Sequence, residues 1–222
     1  CEVRLTDATG RSRRLKADHI LIAWGSEPLI PDGICLSKRI LSSDGILNMN
    51  CLPSSIIIVG ASFIGVEYAV FFAELGVKVT LVELMERILP QEDEEAAAFL
   101  HQELSRLGVA LHVSTTLVSL DEAPEGIVMQ IRKDAETAQL RADCALLCTG
   151  RRPLLHQKEL EADGIDYDLK GIKTDARMMT SANDIYAAGD VTGGMMLAHR
   201  AAVQAKVAAQ SMFGGSDYKY DE

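Results

Sequence analysis

At 222 residues, 48% of them hydrophobic, the chain is long enough to bury one large or two small domains, which excludes a peptide-like or disordered reading. A formal net charge of −10, with acids dispersed apart from the 91–95 stretch, argues against a nucleic-acid partner, because phosphate-backbone binding needs clustered Lys and Arg. The longest apolar runs fall far short of the ~20 residues that span a bilayer, and five cysteines without C-x-x-C spacing favour a reducing, cytoplasmic compartment with neither a disulfide framework nor a zinc site.

Residues 1–30 read as β structure: alternation over 2–5, turn chemistry over 7–10, a return over 13–16 and a compact apolar strand over 18–23 that ends at Gly25. Pro28, Pro31, Asp32 and Gly33 mark an extended connection, 41–47 is expected as a short helix, and 28–50 as a whole reads as a linker. At residue 55 the pattern changes. Ile56, Ile57, Ile58 and Val59 form a strand too uniformly apolar to have a wet face, as in a parallel sheet covered on both sides. A helix follows at once, with Ile64, Tyr68, Phe71 and Leu75 as its apolar stripe and Gly76 at its end.

Residues 77–82 are the next strand, and 90–107 a second helix whose first turns hold Glu92, Asp93, Glu94 and Glu95, where the helix dipole favours anions. Four further strands are predicted at 109–113, 117–120, 127–131 and 142–148. Beyond Gly150 a polar stretch runs to 181, then come a strand at 185–188, a helix over 197–213 and a tail, 214–222, expected to fray. The fold class is α/β: a Rossmann-like domain with a parallel sheet and an antiparallel β-meander.

The first strand of that sheet ends in Gly60-Ala61-Ser62-Phe63-Ile64-Gly65, a G-x-S-x-x-G variant of the dinucleotide fingerprint. Gly60 permits the tight turn, Gly65 lets the helix pack on the strand, and the free N–H groups of the helix start suit a pyrophosphate. Ser62 replaces the middle glycine; it is small and can donate a hydrogen bond. Glu83 ends the second strand 23 residues after Gly60, where an acid that binds ribose hydroxyls is expected at about 20 residues. A carboxylate there repels a 2′-phosphate, so NAD is favoured over NADP. Arg87 could reach a phosphate, but it reads better as a solvated charge.

Four motifs occur together and in order: Ala23-Trp24-Gly25-Ser26-Glu27-Pro28; the fingerprint with Glu67; Thr149-Gly150-Arg151-Arg152-Pro153; and Ile185-Tyr186-Ala187-Ala188-Gly189-Asp190-Val191. They resemble the FAD-dependent pyridine nucleotide-disulfide oxidoreductases over nearly the whole chain, and Met196-Leu197-Ala198-His199-Arg200-Ala201 is most similar to the dihydrolipoamide dehydrogenases. The resemblance implies an NAD-binding domain at 51–149 inserted into parts of an FAD-binding domain at 1–50 and 150–222. It implies that Glu67 holds the nicotinamide carboxamide, that Phe63 is a lid over that pocket, and that Gly150 and Arg151 line the nucleotide cleft. It further implies that Gly189, Asp190, Met196, Leu197 and Ala198 meet FAD, with Asp190 on a ribityl hydroxyl and the following helix aimed at the flavin. Trp24 departs from the family's Thr.

The family's FAD pyrophosphate fingerprint, redox C-x4-C pair and distal catalytic His-x4-Glu do not occur in the sequence, so no catalytic residue is assigned. Cys144 and Cys148 read as core residues, and the spacing of His156 and Glu161 as chance. The expectation is the central NAD(H)-binding region of an oxidoreductase, a region inactive by itself, not expected to keep FAD bound and expected as a monomer, where intact relatives form homodimers. The alternatives are a relative of NADH oxidases or CoA-disulfide reductases, and a non-catalytic NAD-binding module.

Overall fold

The alternation near the start produces an antiparallel hairpin of β1 (Glu2–Thr6) and β2 (Ser12–Lys16), closed by Asp7, whose carboxylate accepts the N–H groups of Thr9 and Arg11. The computed structural model describes residues 1–214 and 219–221. It divides into unit 1, Cys1–Glu27 with Arg151–Glu222, and unit 2, Pro28–Gly150. The apolar strand β3 (Ile20–Ile22) belongs to unit 1, and β4 (Ser26–Pro28) leads out of it.

Unit 2 is built on five parallel strands: β5 (Ile40–Ser42), β6 (Ser55–Val59), β7 (Lys78–Val82), β8 (Ala110–His112) and β12 (Cys144–Leu147), in the order β5-β12-β6-β7-β8. Two helices, α1 (Phe63–Glu74) and α2 (Glu94–Arg106), connect β6 to β7 and β7 to β8. The antiparallel meander of β9 (Thr116–Ala123), β10 (Gly126–Lys133) and β11 (Glu136–Ala142) precedes β12 (Cys144–Leu147).

The uniform apolarity of β6 has a geometric cause, since successive side chains point to opposite faces of a sheet. Ile56 and Ile58 pack with Val66, Ala69 and Phe72 of α1 and Leu104 of α2. Ile57 and Val59 pack with Leu120, Ile127, Met129 and Ile131 of the meander. The α/β class, the parallel sheet and the meander agree with the sequence.

Unit 1 resumes with β13 (Arg151–Pro153), which pairs with β4, then α3 (Gln157–Ala162), the short hairpin β14 (Tyr167–Asp168) and β15 (Gly171–Ile172), β16 (Ile185–Ala187) and α4 (Ala198–Met212). β16 pairs in parallel with β3 over a core of Ile22, Leu160, Ile165, Ile172 and Val191.

Several expectations need correction. Residues 28–50 belong to unit 2 and are no linker, and 41–47 is no α-helix, because Ile40 and Leu41 pair with Ala145 and Leu146 as the sheet's edge strand. A turn of 3-10 helix at Gly45–Asn48 follows. The stripe assigned to α1 is only half inward: Ile64 and Tyr68 pack against the core, whereas Phe71 is 52% and Leu75 49% exposed, and the buried face is completed by Gly65, Val66, Ala69 and Phe72. Helix α2 begins later than residue 90, at an Asp93 cap that accepts the Ala96 N–H at 2.9 Å. The 142–148 strand is two elements that break at Asp143, whose carboxylate takes the N–H groups of Ser54 and Ser55. Of the tail expected to fray, 215–218 and 222 lie outside the described residues, whereas Tyr220 is docked: its N–H reaches the Ala176 carbonyl at 2.7 Å and its ring lies under Arg200.

Candidate functional site

The C-terminal ends of β6, β7 and β12 meet where the strand order reverses direction, the place at which open parallel sheets bind ligands. Gly60, at φ 98°, turns the chain out of β6 in a conformation that L side chains rarely adopt, and its N–H bonds the Val82 carbonyl at 2.8 Å. A Cβ on Gly60 would collide with the Cys148 carbonyl, and one on Gly65 with the Gly60 carbonyl oxygen. Both glycines are therefore packing requirements between the turn, α1 and β12. Ser62 is the N-cap residue of α1, but its side chain makes no capping bond, so the N–H groups of the first turn keep the donor capacity that a phosphate uses.

Glu83 is 7% exposed. Its Oε2 accepts the Ala61 N–H at 2.6 Å and its Oε1 the Met85 N–H at 2.8 Å. Each carboxylate oxygen has a further lone pair, so the group can hold the loop and still accept hydroxyl protons.

A cavity of about 490 Å3 opens at these strand ends. Gly60, Ser62, Glu83 and Gly150 lie on its wall, which brings four of the predicted residues together. Three contributions escaped the sequence reading: Pro31 and Gly33 from the supposed linker, Thr115 and Leu117 from the start of the meander, and Cys148 beside the turn. The Pro-Asp-Gly turn chemistry was visible, but nothing local says where it folds.

The other predicted residues lie off that wall. Ala61 is buried behind the turn, Gly65 is packed under it, and Ile64 joins the core of unit 2. Phe63 and Glu67, one turn apart on α1, are exposed on its surface. Arg87 is not a solvated charge: its guanidinium donates to the carbonyls of Leu89, Pro90 and Glu92.

Arg151 belongs to unit 1, where its Nε donates to Ser26 Oγ at 2.7 Å and its Nη2 to the Ser26 carbonyl at 2.9 Å. Ser26 Oγ in turn donates to Asp190 Oδ2 at 2.6 Å. Asp190 follows Gly189, whose φ of 82° lets the chain turn sharply out of β16. Met196 and Leu197 are partly buried and Ala198 is exposed at the start of α4, another helix start without a side-chain cap. Gln204, which the sequence reading missed, is 1% exposed and accepts the Gly189 N–H at 2.8 Å. Its signal was a polar residue in phase with Val207 and Ala208 on the buried face of α4.

Burial pushes the Cys144 thiol up to about 11 and the Cys148 thiol up to about 12, so both are protonated, inert core groups. His156 packs edge-on against Trp24, centroids 4.6 Å apart, and Glu161 accepts the Tyr167 hydroxyl, so His156 and Glu161 serve separate contacts. Among the described residues no helix is long and apolar enough to cross a membrane.

Residues 1–205 match the pyridine nucleotide-disulphide oxidoreductase family. The chain is 38% identical over 208 residues to a dihydrolipoyl dehydrogenase of Bacillus subtilis, covering 93% of the chain and 45% of that protein. It is 36% identical over 220 residues to one from Chlorobaculum tepidum, covering 96% and 46%. Among solved structures it resembles LpdA from Mycobacterium tuberculosis, at a TM-score of 0.90 and 30% identity over 99% of the chain and 48% of that protein. A water-forming NADH oxidase from Lactobacillus brevis, bound to NADH, gives a TM-score of 0.82 at 25% identity over 99% and 51%. The chain spans about half the length of the relatives it matches.

Proposed function

Because the chain belongs to the pyridine nucleotide-disulphide oxidoreductase family, we propose that unit 2 binds NAD(H) and that the longer enzyme passes hydride between NAD and FAD and onward to a dithiol or disulfide such as dihydrolipoamide. One observation carries the proposal: Gly60, Ser62, Glu83 and Gly150, from three strand ends, line one cavity. The first-turn N–H groups of α1 and the Ser62 hydroxyl receive the pyrophosphate, and the spare lone pairs of Glu83 receive the ribose diol. Phe63 and Glu67 offer an aromatic face and a carboxylate to the nicotinamide end, whose ring supplies the hydride chemistry.

In unit 1, Asp190 serves the FAD ribityl chain, held by Ser26, while the start of α4 at Met196, Leu197 and Ala198 directs N–H groups and a positive dipole end toward the flavin. In the longer enzyme two copies form the homodimer usual in the family. Titration calorimetry of the full chain with NADH and NADPH tests the proposal. Preference for NADH is expected; absence of binding, or equal affinity for both, overturns it. An oxygen-reducing enzyme is the second reading, favoured by the likeness to the L. brevis oxidase. NADH turnover of the longer enzyme with lipoamide under nitrogen separates the two.

A further inference from the structure

The segment between β7 and α2 carries an unusual set of restraints. Leu89 sits at φ 46°, a left-handed conformation that costs energy for a residue with a branched side chain. From it, the Leu89 N–H reaches the Ala61 carbonyl at 2.8 Å. The carbonyl of Leu89, which also accepts the Glu92 N–H at 3.0 Å, converges with those of Pro90 and Glu92 on the Arg87 guanidinium at 3.0, 2.9 and 2.9 Å. Three carbonyl dipoles pointing at one place repel one another unless a cation sits among them, and a planar fork of donors meets several acceptors at once where an ammonium does not.

Both polar groups of Ala61 are thus held from outside the turn, its N–H by Glu83 and its C=O by Leu89. We propose that Arg87 is a positioning residue for the dinucleotide turn: by gathering three carbonyls it keeps Leu89 left-handed, so that the Leu89 N–H fixes the Ala61 peptide before cofactor arrives. The inference rests on the NAD(H) reading of unit 2 and deepens it, because the same bonds commit three of the five Arg87 N–H donors to the loop's own backbone. The turn is paid for in advance, which raises the affinity of any dinucleotide without choosing between NADH and NADPH.

Amide hydrogen exchange of the cofactor-free full chain, compared for wild type, Arg87→Ala and Arg87→Lys, tests the brace, and NADH and NADPH titrations of the same proteins test its consequence. Exchange at Leu89 and Ala61 is expected to quicken about tenfold or more in Arg87→Ala, with the core amides of Ile57 and Leu146 unchanged. Both cofactors are expected to weaken by a common factor of about ten, leaving their ratio as it was. Arg87→Lys, the milder change, is expected to shift the same two amides by a smaller factor and carries the test if Arg87→Ala does not fold. Unchanged exchange at Leu89, loosening spread over the core, or a loss confined to NADPH would overturn the proposal. A chain that binds neither dinucleotide would end the NAD(H) reading, while the exchange measurement, made without cofactor, would still decide the brace.

Discussion

The Glu83 carboxylate holds the Ala61 amide across 2.6 Å, tying the end of β7 to the turn that leaves β6. An acid expected only as a ligand for ribose is also part of the frame that shapes the turn. The two roles are compatible because an ionised carboxylate accepts up to four hydrogen bonds and the chain uses two of them.

Glu83→Ala should therefore act on binding and on stability together. Losing the charge-assisted bonds is expected to weaken NADH by about 1–3 kcal/mol, and removing the charge narrows the NADH/NADPH ratio. The Ala61 N–H, buried and left without its acceptor, should lower stability by a further amount of about 1–3 kcal/mol. Calorimetry of both cofactors beside thermal unfolding checks this; a stability loss with no change in the cofactor ratio would leave Glu83 a frame residue only.

Gly65→Ala should be among the most damaging single-methyl changes in unit 2. The new Cβ meets the Gly60 carbonyl, which is backbone and cannot rotate away, so α1 must lift from the sheet. A cost of about 3 kcal/mol or more is expected, at the upper end of the scale for overpacking a tight core. Gly76→Ala is the control. It faces open space and suffers only its φ of 80°, so a smaller cost of about 1 kcal/mol is expected in urea unfolding.

What was legible in the sequence followed from strong local signals. Ile56 to Val59 announced a strand buried on both faces, and the spacing from Gly60 to Glu83 announced two strand ends side by side. The edge elements were harder. Strand β11 turns chiefly Leu140 and Ala142 inward, too few apolar residues to show a period, and α3 buries only Leu160. Strand β5 looked helical because its identity comes from pairing with β12, a hundred residues away in sequence and invisible to any local window. Within the site, Arg87 was misread because its partners are backbone carbonyls, which every residue possesses and no sequence displays.

Alkaline pH should weaken the fold through its buried thiols. The folded values of about 11 for Cys144 and about 12 for Cys148 lie above the ordinary value of 9.0. Below pH 9 both states keep these thiols protonated and nothing is lost; as pH rises from 9 towards 11 and 12 the unfolded chain releases protons that the folded one retains, and stability falls. Urea midpoints across that range are expected to drop less in Cys148→Ala relative to its own value at pH 8. In the native chain at pH 8, iodoacetamide should label the exposed Cys1, Cys35 and Cys51 and spare Cys144 and Cys148.

Gln204 offers the last test, in unit 1. Its side chain accepts the Gly189 N–H at 2.8 Å and lies within hydrogen-bonding distance of the Thr192 hydroxyl at 3.2–3.3 Å, so one buried amide holds both ends of the short turn that carries Asp190. Gln204→Met keeps most of the volume and removes every polar partner, leaving the Gly189 N–H without its acceptor. A loss of about 1–3 kcal/mol is expected, together with faster amide exchange at Gly189. Gln204→Glu retains the acceptor for Gly189 and should protect that amide better than Met does, although burying a charge lowers overall stability. If Asp190 serves FAD, the longer enzyme carrying Gln204→Met should also hold its flavin less tightly, read as flavin released on dilution. Equal exchange at Gly189 in wild type and Gln204→Met would mean that the turn is fixed by its own backbone bonds, from Thr192 N–H to Gly189 and from Gly193 N–H to Asp190, and that Gln204 merely fills space.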